Sequence, residues 1–173
     1  MVSRNPRIEK AIQGLESEHS EMLKEVNKLY AALNNLQYEG KIFVRRNIRN
    51  VFRSVRSIKK DLFPHMKFDD DKLFPFFQKH IPKYEPILEY FKGEHAEIRE
   101  EFKALEVLFL KAEKAKTDTG EQKLAAKLRD HGIYLVCLVR NHLQVEGQNI
   151  YKMMRRLKAE EQDVLISKLS VHH

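Results

Sequence analysis

The chain has 173 residues, of which 42% are hydrophobic and 33% charged, and a formal net charge of +7. That length fits one domain able to bury its own core, and the composition is that of a soluble, helix-rich protein. No run approaches the roughly 18 uncharged apolar residues of a membrane span, residues 1–10 hold no apolar leader core, and the single cysteine, Cys137, excludes an internal disulfide and a thiolate cage, so a cytoplasmic location is expected.

Glycine and proline are sparse and cluster at three breaks: Asn34 to Gly40, Pro75 to Pro86 with Pro82 between, and Thr117 to Gly120. The segments between them carry apolar residues at alternating steps of three and four, the period of a helix with one buried face. The first reads Ile8, Ile12, Leu15, His19, Met22, Val26, Leu29, Leu33, Leu36. The second reads Ile48, Val51, Val55, Ile58, Leu62, His65, Asp69, Leu73, Phe76, and Pro64 predicts a kink or a fresh start just before His65. This helix also carries Arg45, Arg46, Arg49, Arg53, Arg56, Lys59 and Lys60. No aromatic residues interleave them in a base-stacking pattern, so they read as a solvated face and not as a nucleic-acid site.

The third segment reads Tyr84, Leu88, Phe91, His95, Ile98, Phe102, Leu105, Phe109, Ala112. The fourth reads Leu124, Leu128, His131, Leu135, Leu138, His142, Val145, Asn149, Met153, and an amphipathic tail with Val164, Leu165 and Leu169 follows. Four long helices with short connections predict an all-α protein, an antiparallel up-down-up-down four-helix bundle over about residues 8–157 with a short C-terminal helix over 160–171. The whole of 1–173 is read as one domain.

One histidine interrupts each apolar stripe, and the register brings the four together. His95 and His142 each lie about 23 residues from the Thr117–Gly120 turn, which at about 1.5 Å per residue puts them at one level. His65 and His95 are symmetric about His80. His19 and His65 differ by about one turn around Gly40. Asp69 shares a face with His65, and Glu146 with His142, at i, i+4 spacing. Burying four imidazoles and two carboxylates in an apolar core is costly without partners, and metal ions supply them. This donor set suits iron, zinc or manganese, and two carboxylates among four histidines suggest two ions. His131 lies about 16 Å along its helix from His142, too far to share them. His80 is read as a loop residue, His172 and His173 as chain-end residues without a role, and Cys137 as a small buried hydrophobe.

Four motifs, in order, resemble those of the hemerythrin-like, or HHE cation-binding, domains. They are Leu15-Glu-Ser-Glu18-His19; His65-Met-Lys-Phe-Asp69 with Leu73-Phe74-Pro75 after it; Glu94-His95-Ala-Glu-Ile98-Arg99; and His142-Leu-Gln-Val-Glu146. The resemblance implies a bundle holding a non-haem di-iron centre. Within it His19, His65, His95 and His142 would be terminal iron ligands and Asp69 and Glu146 bridging carboxylates, with oxygen, peroxide or nitric oxide binding beside them. The chain departs from the family in two places. Aspartate stands where glutamate is usual at Asp69, and Arg99 stands where the oxygen carriers place a second third-helix histidine. Water or a carboxylate, with Glu94, Glu97 and Glu16 as candidates, is expected to take that place. The ferritin-like alternative needs Glu-x-x-His on two helices; only Glu16 and His19 fit it. The resemblance thus implies a di-iron binding protein for O2 or a related small molecule (peroxide or NO), serving sensing, storage or transport. The alternative is a di-iron enzyme turning over peroxide, NO or ferrous iron.

Overall fold

The computed structural model describes residues 5–38, 43–115 and 117–170. Its helices are α1 (Pro6–Tyr38), α2 (Val44–Phe68), α3 (Phe74–His80), α4 (Glu85–Lys114), α5 (Asp118–Arg156) and α6 (Ala159–Ser170), and no strand occurs among the described residues. The start of α1 is set by Pro6 in its first turn and by the Asn5 side chain, which accepts from the Arg7 backbone N–H at 3.0 Å. Thr117 caps α5 by accepting from the Gly120 N–H at 3.2 Å. The start of α1 is tied to the end of α5 by the Arg155–Glu9 fork, with both contacts at 2.9 Å. The end of α1 meets the start of α2 where Asn47 donates to the Asn35 carbonyl at 3.2 Å. Lys59 of α2 reaches Glu106 of α4, and His131 of α5 pairs with Glu101 of α4.

The predicted breaks prove shorter than the glycine and proline pattern suggests. Asn34–Tyr38 continue α1, while Gly40 lies outside the described residues. The Pro75–Pro86 stretch contains α3 and a 3-10 turn at Pro82–Tyr84. Asp118, Thr119 and Gly120 already belong to α5. In the second and third breaks, Pro75, Pro82, Pro86 and Gly120 sit in first helical turns, where a missing N–H or a small side chain costs little.

Pro64 does not end α2. Its flanking residues Leu62 and Met66 are fully buried, and this packing holds the chain helical across one lost hydrogen bond. The irregularity comes later, as a π turn at Asp69–Leu73 in which the Phe74 N–H donates to the Asp69 carbonyl. Such turns re-aim side chains and concentrate at functional sites.

The tail lies on the bundle. Leu165 and Leu169 are buried there, whereas Val164 is exposed. Gln162 bonds the Met154 and Leu157 carbonyls, and Glu161 takes His80 Nδ1 at 3.0 Å. His80 is accordingly the last residue of α3 and a tether for α6, not a loop residue. Cys137 is exposed, contrary to the reading from residue type: its neighbours Leu135, Val136 and Val139 take the inward phase and leave it on the outer face.

The apolar interior falls into two clusters. One runs from Met22 on α1 through Leu62 and Met66, Ile98 and Leu143. The other holds Ile8, Ile12 and Leu15, then Leu73 and Phe74, Leu88 and Phe91, and Ile150. On every long helix the predicted histidine lies between the two. A polar layer therefore crosses the core at one level.

Candidate metal centre

Each long helix puts donors into that layer. His19 comes from α1, His65 from α2, His95 from α4, and His142 and Glu146 from α5, with Asp69 from the π turn; all are buried. Glu146 is at the centre. Its Oε2 lies 3.3 Å from His65 Nε2, 3.6 Å from His142 Nε2 and 3.7 Å from His19 Nε2. Asp69 Oδ2 lies 3.2 Å from His65 Nε2. The His19 and His65 rings are 4.8 Å apart, so the one-turn offset expected from the sequence is absorbed. Two three-donor groups result, His19–His65–Glu146 and His95–His142–Glu146, each with its ligand atoms within 4.8 Å of one another. Glu146 belongs to both, whereas Asp69 sits at the His65 end.

The outer nitrogens of two rings are held by carboxylates. His95 Nδ1 lies 2.8 Å from Asp70 Oδ1, and Asp70 is itself gripped by Arg99 at 2.7 Å. His142 Nδ1 lies 2.9 Å from Glu94 Oε2. Glu94 also accepts from Tyr90 Oη at 2.7 Å and Asn141 Nδ2 at 3.2 Å. Carboxylates only accept, so each Nδ1 carries a proton and donates it. The two Nε2 atoms then face each other 3.0 Å apart. In the Nδ1–H tautomer they present lone pair to lone pair, an arrangement that a cation between them would resolve. Two further buried oxygens, Asp69 Oδ2 and Glu146 Oε1, lack a hydrogen-bond partner among the described residues. These donors and orphaned oxygens fit bound metal.

The electrostatics agree. Burial, with His65 alongside, lowers His19 to about 4, and burial with His142 alongside lowers His95 to about 4. Both are held as neutral lone-pair donors. Burial opposes charge on His65 too, but Asp69 and Glu146 outweigh it and raise the imidazole to about 9. Asp69 is pushed well above the carboxylate range, chiefly by burial. Glu146 is lowered: burial acts against this, but the hydrogen bond from His65 and the surrounding histidines prevail. On the far side of His19, Gly147 leaves room for Tyr151. A Cβ there would lie 3.1 Å from the Tyr151 hydroxyl and 3.2 Å from His19 Nδ1.

The position of Arg99 is now explained. It carries no ligand and instead anchors the carboxylate that anchors His95. The three candidate carboxylates lie outside both three-donor groups: Glu94 meets His142 Nδ1, Glu97 bonds Tyr134, and Glu16 is exposed.

A family profile described as the hemerythrin HHE cation binding domain matches residues 10–131. The chain belongs to that family. The curated proteins and the solved structures compared with it give no match. This hemerythrin-like cation-binding domain thus carries His19, His65 and His95 within the matched segment, while His142 and Glu146 lie past its end and join through geometry. Its two His/Glu groups fit a metal-binding protein. No described helix is long and apolar enough to cross a membrane. Sequence reasoning missed Asp70 as a partner of His95, and its one available signal was adjacency to Asp69.

Proposed function

We propose that this chain is a cytoplasmic non-haem di-iron protein that binds O2 or a related small molecule, peroxide or NO, for sensing, storage or transport. The helices run up-down-up-down, as the end-to-end pairing of α1 with α2 and α5 supports. His19, His65 and Glu146 would hold one ion and His95, His142 and Glu146 the other, with Asp69 as a second shared carboxylate on the His65 side. The observation that carries this reading is the sharing of one buried carboxylate by two histidine pairs, with a second carboxylate beside it. When bound, the ions supply redox-active, Lewis-acidic centres for a small ligand. The chain itself supplies four buried imidazoles, two of them fixed in one tautomer by Asp70 and Glu94, within an apolar surround.

Anaerobically purified protein loaded with ferrous iron should hold two ions per chain. On oxygen it should develop charge-transfer absorption that bleaches when oxygen is removed. Less than about 0.2 metal per chain would end the reading, since a built site of this kind couples binding to folding. Consumption of peroxide or NO well beyond one equivalent per site would move the assignment to the enzymatic alternative.

The titration pattern gives a further expectation. At pH 7 His19 and His95 are already neutral, so loading takes no proton from either. His65 is charged and must release a proton, joined by whatever proton Asp69 holds. Calorimetry in buffers of different ionisation enthalpy should therefore find proton release on metal binding. The release should diminish as pH rises through about 9, where His65 has already lost its proton. A count that grows with pH across that range would contradict the assignment.

A further inference from the structure

The two halves of the centre differ in their access to solvent. The His95 and His142 side chains are 0% exposed, whereas His19 and His65 retain 10% and 8%. The opening lies between α1 and α2: a crevice of about 590 Å³ lined by His65 and Pro64 from α2 and by Gly14 and Ser17 from α1. Its lining carries three carboxylates, Glu18, Glu21 and Asp61, against one cation, Lys60. Glu21 is shared with Lys24 at the surface. Gly14 keeps the crevice wide, since a Cβ placed there meets nothing within 4 Å.

We infer that divalent cations load and leave through this crevice, and that the ion at His19 and His65 exchanges before the one at His95 and His142. This rests on the two-ion reading above. The path is short because His65 is both a wall of the crevice and a donor of the cage. The acidic lining raises the local concentration of cations at the mouth. The inner imidazoles are fully buried: Phe74 stacks 5.6 Å from His95, and Phe91 lies 6.0 Å from His142. The inner ion must therefore follow the outer ion out.

Extraction of cobalt(II) from the fully loaded chain by excess chelator tests this. The wild type should lose its metal in two phases of one equivalent each, the first the faster. Gly14→Phe, which plugs the crevice and replaces a poor helix former, should slow both phases severalfold and leave the final stoichiometry unchanged. Gly93→Phe, at an exposed position on α4 with equally open space, serves as the control and should leave the rates alone. Glu21→Gln with Asp61→Asn should slow loading about tenfold at low ionic strength and remove most of its salt dependence. Normal stoichiometry with unchanged rates in Gly14→Phe, or equal slowing in Gly93→Phe, overturns the access route. A wild type that binds fewer than two ions at equilibrium, whatever the rates, overturns the two-ion reading and this inference with it.

Discussion

Glu146→Gln should empty both ion positions at once, whereas alanine at any single histidine should empty one. The reason is the central place of this carboxylate, with one oxygen within 3.7 Å of the Nε2 atoms of His19, His65 and His142. Glutamine keeps the volume and loses the charge. Each ion would then keep two imidazoles, with Asp69 the one carboxylate left and only at the His65 end, in a layer too buried for water to compensate fully. The apo fold should survive, because Asp69 stays 3.2 Å from His65 and continues to balance its charge. What disappears is the stability that metal adds, about 2.7 kcal/mol when free ion stands at 100 times Kd. Elemental analysis after gel filtration, together with thermal melts with and without iron, reads both effects. Two ions or one retained by the folded glutamine variant would remove Glu146 from the bridge. Full iron content in His142→Ala would likewise remove that ligand.

Much of this centre can be read from helical phase. Each stripe names its own histidine, and i, i+4 spacing delivers Asp69 and Glu146, because a helix fixes which residues share a face. Phase also turns Cys137 outward, where residue type alone would bury it. The breaks were drawn too wide for a related reason: proline and glycine open helices as readily as they end them, and Pro6, Pro75 and Pro86 all sit in first turns. Beyond the reach of spacing are contacts between helices. The π turn at Asp69–Leu73 has no local signature, and Asp70 meets His95 only because the turn and α4 lie side by side. Glu94 is the instructive case. Its position beside His95 suggested a ligand, yet it reaches the histidine of the neighbouring helix, and on the nitrogen facing away from the cage.

Those outer contacts lead to the second large effect. Asp70→Asn and Glu94→Gln should each weaken the His95–His142 ion by about 10- to 100-fold, the usual result of removing a carboxylate behind a ligating imidazole. Each carboxylate fixes its ring by accepting from Nδ1, which leaves Nε2 free to donate its lone pair inward, and an anion behind the ring makes that lone pair more basic. An amide can turn its NH2 toward Nδ1 and favour the wrong tautomer, so the loss combines misdirection with lowered basicity. Arg99→Ala should act in the same direction and more weakly, since it frees Asp70 from its 2.7 Å anchor without removing it. Arg99→His, which restores the residue found in the oxygen carriers, should not rescue affinity unless Asp70 stays ordered, because the arginine serves that carboxylate and not the metal. Competition with a chelator of known affinity measures the second binding constant in each variant. The His19–His65 ion provides an internal reference, because neither carboxylate touches those rings. Equal weakening of both ions would mean that Asp70 and Glu94 hold the bundle together generally. An unchanged second constant would mean that His95 and His142 are oriented by packing against Phe74 and Phe91 alone.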